Sequence, residues 1–215
     1  MYAPATPLPA APLVPVGIAS TAPNPTDPVP LHTELKAHRF ELNVLASQRT
    51  NVTGALLEGR RPAGAGQLVA LQALGRRGWW TLARAHTGAR GRFRLSYVPR
   101  RLGSRWLRLR FAGGSTALGT RRRLGKLNVY RLAEASWYGG GGSLACGGSL
   151  TSSTMGVANK TLPCGTLVTL HYDGRTVRVP VVDRGPYVAG REFDLTEATK
   201  DALGFGGVGE VWSTS

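Results

Sequence analysis

The chain has 215 residues, 42% of them apolar, and a formal net charge of +15. No stretch of 18 consecutive apolar residues occurs, which excludes a helix spanning a membrane. The charge is unevenly placed: residues 31–130 hold 20 Lys and Arg against three acids (Glu34, Glu41, Glu58), whereas residues 131–215 hold 7 against 8. This split predicts a cationic module joined to a separate, nearly neutral working domain.

Residues 1–33 form a Pro/Ala/Thr-rich lead, expected to be extended and disordered. No Lys or Arg precedes Lys36, and five prolines between Pro4 and Pro15 interrupt the apolar stretch, so the lead does not fit a secretory signal. Either the signal precedes this start or the lead is a processed remnant.

Residues 34–130 change period. Phe40–Val44, Val69–Ala73, Phe93–Tyr97 and Trp106–Phe111 alternate apolar and polar or Arg positions between Gly/Pro clusters, which predicts short antiparallel strands. About seven strands over this length predict a basic, immunoglobulin-like β-sandwich. A partner for its charge must be anionic: nucleic acid, membrane headgroups or wall polymer. No helix-turn-helix, zinc-finger or RNP pattern is present, so no specific nucleic-acid partner is expected. Arg outnumbers Lys 23 to 4, which suits bidentate contacts with phosphate or carboxylate, although genome composition alone gives the same bias.

Residues 121–126 (Arg-Arg-Arg-Leu-Gly-Lys) mark the expected boundary, and residues 131–215 form the last domain. Its elements are Ala135–Tyr138, a Gly run at 139–142, strands at Leu167–Tyr172 and Thr176–Val182, and one helix from Leu195 to Leu203 stopped by Gly204. Gly204-Phe205-Gly206-Gly207-Val208-Gly209 spells a dinucleotide-type glycine pattern but follows a helix with too little chain after it for a βαβ unit, so it is a turn. Cys146 and Cys164, both in Cys-Gly contexts, are the two cysteines. They suit one disulfide and an oxidising compartment; the rival assignment is a pair of reduced thiols or half a metal site, but the four His (32, 38, 86, 171) lack ligand spacing.

Asp183 and Asp194 lie eleven positions apart, each next to apolar residues that read as strand, with a Gly-Pro turn between them. Carboxylates at strand ends beside a turn are rigid and open to a cleft, as acid/base work on a sugar requires. Turn chemistry at Asp183 and a helix cap at Asp194 explain the same residues without catalysis.

Four motifs in order, Trp137-Tyr138-Gly139, Met155 to Thr166, Asp183-Arg184-Gly185-Pro186-Tyr187 and Phe193-Asp194-Leu195-Thr196, resemble the RlpA-like double-psi β-barrel family, which includes septal-ring lytic transglycosylases and is related to expansins and barwin-like proteins. The resemblance spans about residues 134–213. It implies an all-β chain whose last domain is a six-stranded barrel with one short helix and a groove for peptidoglycan glycan. It further implies catalytic aspartates at Asp183 and Asp194, substrate contacts from Asn159, Lys160, Arg184 and Tyr187, no cofactor and no metal. Trp137 and Tyr138 are either sugar-stacking residues or buried barrel aromatics. The family's His falls at Asn159, which can orient a hydroxyl but cannot shuttle a proton.

The implied reaction cleaves the MurNAc–GlcNAc bond and leaves a 1,6-anhydro end. One carboxyl must then be protonated near neutral pH, and the ionised neighbour would hold that proton. The alternative is a non-catalytic, expansin-like protein that binds and loosens wall polysaccharide. Either way the expected setting is the extracellular cell wall, as a monomer. The basic module is expected to hold an anionic wall polymer.

Overall fold

The computed structural model describes residues 29–215. The lead expected at 1–33 lies outside the described residues up to residue 28. Its end is already tied down: Leu31 bridges Ala117, with Leu31 N–H donating to the Thr116 carbonyl at 2.9 Å.

The regular structure of the described chain is almost all strand. Its first part runs β1 (Thr33–Arg39), β2 (Asn43–Leu45), β3 (Thr50–Glu58), β4 (Arg61–Pro62), β5 (Leu68–Gly75), β6 (Gly78–His86), β7 (Arg92–Tyr97), β8 (Gly103–Phe111) and β9 (Thr120–Tyr138). In one sheet β3 pairs antiparallel with β1 on one edge and with β4 and β7 on the other. The second sheet has the order β6–β5–β8–β9–β2. Strict alternation sets the facing: on β7, Phe93, Leu95 and Tyr97 are buried while Arg92, Arg94 and Ser96 are exposed. Leu35, Val52, Leu56 and Leu95 from the first sheet meet Val69, Leu71, Leu107 and Leu109 from the second in one apolar core. The expected strands at 69–73, 93–97 and 106–111 fall inside β5, β7 and β8. Of the run at 40–44, only Asn43 and Val44 are strand; Phe40 and Leu42 pack from a loop onto the core.

β9 is 19 residues long and serves both halves of the molecule. Its first half pairs with β8, with a bulge opposite Leu107/Arg108 that accommodates the buried Leu124. The Arg-rich run at 121–126 therefore lies within a strand. The second half of β9 joins the sheet that follows, and the two apolar cores divide between Val129 and Ala133. At the division Tyr130 is fully buried, stacks on His171 at 5.7 Å and donates its hydroxyl to Asn43 Oδ1 at 2.8 Å. Trp212 closes this junction, 5.2 Å from His171.

The remaining elements are β10 (Val157–Ala158), β11 (Leu167–Tyr172), β12 (Arg175–Asp183), β13 (Phe193–Thr196), α1 (Glu197–Leu203) and β14 (Gly209–Ser213). The pairings β9–β13–β10–β12–β11–β14 return to β9, which closes a six-stranded barrel. Two of its pairs, β9–β13 and β10–β12, are parallel. Val157, Val168, Leu170, Val181, Phe193, Leu195 and Val211 fill the interior. The helix starts two residues later than expected because Leu195 and Thr196 stay in register with Trp137 and Tyr138. Gly204, at φ +71°, ends it in the left-handed region that glycine tolerates. Among the described residues no helix is long and apolar enough to cross a membrane.

Candidate active site

Four adjacent barrel strands place one row of side chains side by side. Ser136 on β9 is opposite Asp194 on β13, Asp194 is opposite Ala158 on β10, and Ala158 is opposite Asp183 on β12. Directly opposed residues share a face of the sheet. Both aspartates therefore stand on one face, two strands apart, with the smallest chiral side chain between them. The next row, Leu195, Val157 and Val181, belongs to the interior.

A bulge makes this row possible. Val181 points inward, and uninterrupted alternation would send Asp183 inward as well. The register between β10 and β12 shifts at this point, so that Val157 opposes Val181 while Ala158 opposes Asp183. The extra residue, Val182, re-aims Asp183 outward, as bulges beside functional sites commonly do. Gly156 leaves the room for it, since a Cβ there would collide with the Val182 side chain.

Each aspartate has one oxygen anchored. Asp183 Oδ1 accepts from the backbone N–H groups of Ala145 and Arg184, both at 2.8 Å. Asp194 Oδ1 accepts from Ser136 Oγ at 2.6 Å. Both aspartates line one open hollow of about 150 Å³ with Tyr138, Ala158, Arg184, Pro186 and Tyr187. Larger hollows lie on the sandwich and are lined by no carboxylate.

Tyr138 lies two residues along β9 from Ser136 and reaches the same hollow. Its hydroxyl is buried and lacks a hydrogen-bond partner among the described residues. Burial, and then the neighbouring Asp183 and Asp194 carboxylates, push this phenol well above its ordinary pKa. It therefore keeps its proton at neutral pH and remains a donor. Tyr187, at the mouth, is 82% exposed and offers an open ring face.

The other expected site residues differ in placement: Arg184 lines the hollow, whereas Trp137, Lys160 and Asn159 do not. Trp137 alternates to the opposite side of β9 and is 40% exposed beneath Lys200 Nζ, which sits 4.4 Å above its ring. Lys160 is exposed on the turn after β10 and does not line the hollow. Asn159 is only 8% exposed: its Oδ1 accepts from the N–H groups of Thr161 (3.0 Å) and Leu162 (2.8 Å), and its Nδ2 donates to the Glu192 carbonyl at 3.0 Å. Its amide is committed to folding the turn. Arg184 is similarly engaged, donating to the carbonyls of Asn159 (3.0 Å) and Leu162 (2.8 Å) and contacting Cys164 Sγ at 3.0 Å.

Cys146 and Cys164 form a disulfide. Cys146 is adjacent to Ala145, whose N–H holds Asp183, so the bridge fastens the donor loop against the turn that Arg184 clasps. Sequence reasoning missed Ser136, the Ala145 N–H and the spacer Ala158. Only Ser136 left a signal, as a polar residue between the buried Ala135 and the Trp-Tyr pair. No cluster of metal-ligating side chains occurs among the described residues.

The closed six-stranded barrel, with its two parallel pairs β9–β13 and β10–β12, is a double-psi β-barrel. Residues 132–212 match the family described as Lytic transglycolase, and this domain belongs to that RlpA-like family. The chain is 45% identical over 84 residues to the "Probable endolytic peptidoglycan transglycosylase RlpA" of Aquifex aeolicus, covering 37% of this chain and 37% of that protein. It is 39% identical over 84 residues to the protein of the same name from Synechocystis sp., covering 36% of this chain and 26% of that one. The chain thus spans about a third of the length of these curated relatives. Among solved structures, the Streptomyces papain inhibitor aligns at 26% identity over 40% of this chain and 92% of its own, with a TM-score of 0.33, too low to carry an argument.

Proposed function

We propose that the barrel is a peptidoglycan lytic transglycosylase domain that cleaves MurNAc–GlcNAc strands through Asp183 and Asp194. The observation that carries this is the opposition of both aspartates to Ala158, each with one oxygen anchored and both lining one hollow. Strand spacing sets their Cα atoms roughly 10 Å apart, so that the two carboxyls can flank a bond. The names of the relatives support the substrate class.

In the proposed reaction a carboxylic acid donates its proton to the glycosidic oxygen as the C1–O bond breaks, releasing the GlcNAc 4-hydroxyl. The MurNAc C6 hydroxyl attacks C1, its proton passes to a carboxylate, and the 1,6-anhydro ring closes. No water is consumed, and the pair ends with the single proton it began with. Tyr138 supplies a neutral hydroxyl donor beside the pair, and Tyr187 a ring for a sugar at the mouth. The disulfide suits an oxidising setting, in keeping with action in the cell wall.

The test is digestion of peptidoglycan sacculi by the purified chain, with 1,6-anhydro muropeptides read by mass spectrometry. The expected result is product with wild type and a loss of about 100-fold or more in Asp183→Asn and in Asp194→Asn. Asn159 favours a second outcome, since no imidazole joins the aspartates. Sacculus pelleting without any anhydro product would replace cleavage with expansin-like binding and loosening.

A further inference from the structure

The barrel touches the outer face of the β6–β5–β8–β9 sheet at one end, where Ser104 Oγ lies 3.4 Å from Thr169 Oγ1; beyond that contact the face carries mostly polar and charged side chains. Two cross-strand rows run over it. One is Arg84, Ala70, Arg110 and Arg121; the next is Thr81, Gln72, Arg108 and Arg123. Trp106 on β8 continues the face, 48% exposed and opposite Lys126.

These cations lack counter-charges. The ion pairs among the described residues are Lys36–Glu34, Arg131–Glu192 and Lys200–Asp201, none of them on this face. Like charges directly opposite each other across a sheet are destabilising, yet Arg108 opposes Arg123 and Arg110 opposes Arg121. Burial, and then the charges of Arg121, Arg110 and Arg123, hold the Arg108 pKa below the usual guanidinium value. Nor is Arg108 a loose solubilising side chain. Its guanidinium lies 3.9 Å from the Trp79 ring centroid, and its Nε donates to Gln72 Oε1 at 2.9 Å, with Gln72 itself only 7% exposed. A planar donor fixed in this way is pre-organised for an anionic group.

We propose that this face binds an anionic polysaccharide, with carboxylate or phosphate groups on the arginine rows and a sugar ring on Trp106. Charge complementarity fixes the sign of the occupant, and the open indole beside the cations adds a flat apolar surface for a ring. The N-terminal segment of the chain is not the occupant, because residues 1–28 contain one acid, Asp27. A nucleic acid would offer the same anionic groups and a flat base for Trp106, so single-stranded DNA is one of the ligands compared below. The choice of a glycan also leans on the proposed glycan-acting barrel; the existence of the anion site does not.

The experiment is affinity electrophoresis of the full chain in gels containing polygalacturonate, phosphorylated dextran, neutral dextran or single-stranded DNA at physiological salt. Retardation by polygalacturonate or phosphorylated dextran, at least about tenfold stronger than by neutral dextran, is expected, and the stronger of the two identifies the anionic group. Trp106→Ala should weaken it about tenfold, and the triple variant Arg110→Gln, Arg121→Gln, Arg123→Gln by at least as much. Thermal melts verify that these surface variants fold. Equal retardation by neutral dextran, tighter retention on DNA, or indifference to Trp106→Ala would overturn the proposal. Asp183→Asn should bind as wild type, so failed cleavage and failed binding are separately visible.

Discussion

Asp183 and Asp194 are both cross-strand partners of Ala158, one through a parallel pair and the other through an antiparallel pair. The small methyl between them determines what fits between the two carboxyls. Replacing Ala158 with Val adds volume at a position only 2% exposed. The expected outcome is a cost of about 1–3 kcal/mol in stability, with anhydro-muropeptide production falling further than the melting temperature explains. Denaturation curves and the sacculus assay on the same preparation check this.

Ser136 positions Asp194 through a 2.6 Å hydrogen bond. Ser136→Ala removes a bond to a charged group, worth about 1.5–3 kcal/mol, and frees the carboxylate to rotate. Product yield should fall about tenfold or more, and Ser136→Thr should restore most of it. Equal activity in Ser136→Ala and wild type would remove Ser136 from the site.

Asn159→Ala leaves the N–H groups of Thr161 and Leu162 without their acceptor. Both donors are partly solvent-accessible, so each lost hydrogen bond costs about 0.5–1.5 kcal/mol, and the urea midpoint should drop. A variant that loses cleavage while keeping wild-type stability would instead give Asn159 a direct part in the chemistry.

Cys146 and Cys164 close a loop of 18 residues. The chain-entropy model assigns about 3 kcal/mol to a loop of this size. Cys146→Ser with Cys164→Ser, or reduction of wild type, should lower stability by about that amount. Activity should fall as well, because the Ala145 N–H that holds Asp183 is next to the bridge. Cleavage unaffected by reduction would mean that the loop holds its place alone.

His171 sits in the junction between sandwich and barrel, stacked on Tyr130 and hydrogen-bonded to Thr176 at 2.8 Å. Burial lowers its pKa, against a smaller opposing effect of the Arg175 backbone. With the folded value below the unfolded value of about 6.5, the unfolded chain binds more protons in the interval between them. The stabilisation is complete above about pH 6.5 and is lost as pH falls through the folded pKa. Urea midpoints at pH 8 and pH 5 should differ more for wild type than for His171→Phe.

Much of the fold was legible locally. The alternation at residues 93–97 and 106–111 survives as β7 and β8 because side-chain direction reverses at every strand residue whatever the strand pairs with. Gly204 ended the helix as expected because a left-handed C-cap is a local backbone event. The strand at 40–44 shrank to a loop and three residues of β2, since its partner there is β9, some eighty positions away. Trp137 and Tyr138 could not be told apart in sequence: strand alternation separates them, but which of the two faces the aspartates depends on how β9 meets β13.

The amino-acid order by itself determined the uneven placement of charge, the positions of the two aspartates and the two cysteines, because charge, motif spacing and residue counts do not depend on pairing. Only the tertiary structure decided that Val182 turns Asp183 onto the face of Asp194, that Asn159 folds a turn, and that the arginines of β6, β8 and β9 gather without counter-ions. The first and last of these rest on register between paired strands, where a shift of one residue would send every side chain concerned to the other face.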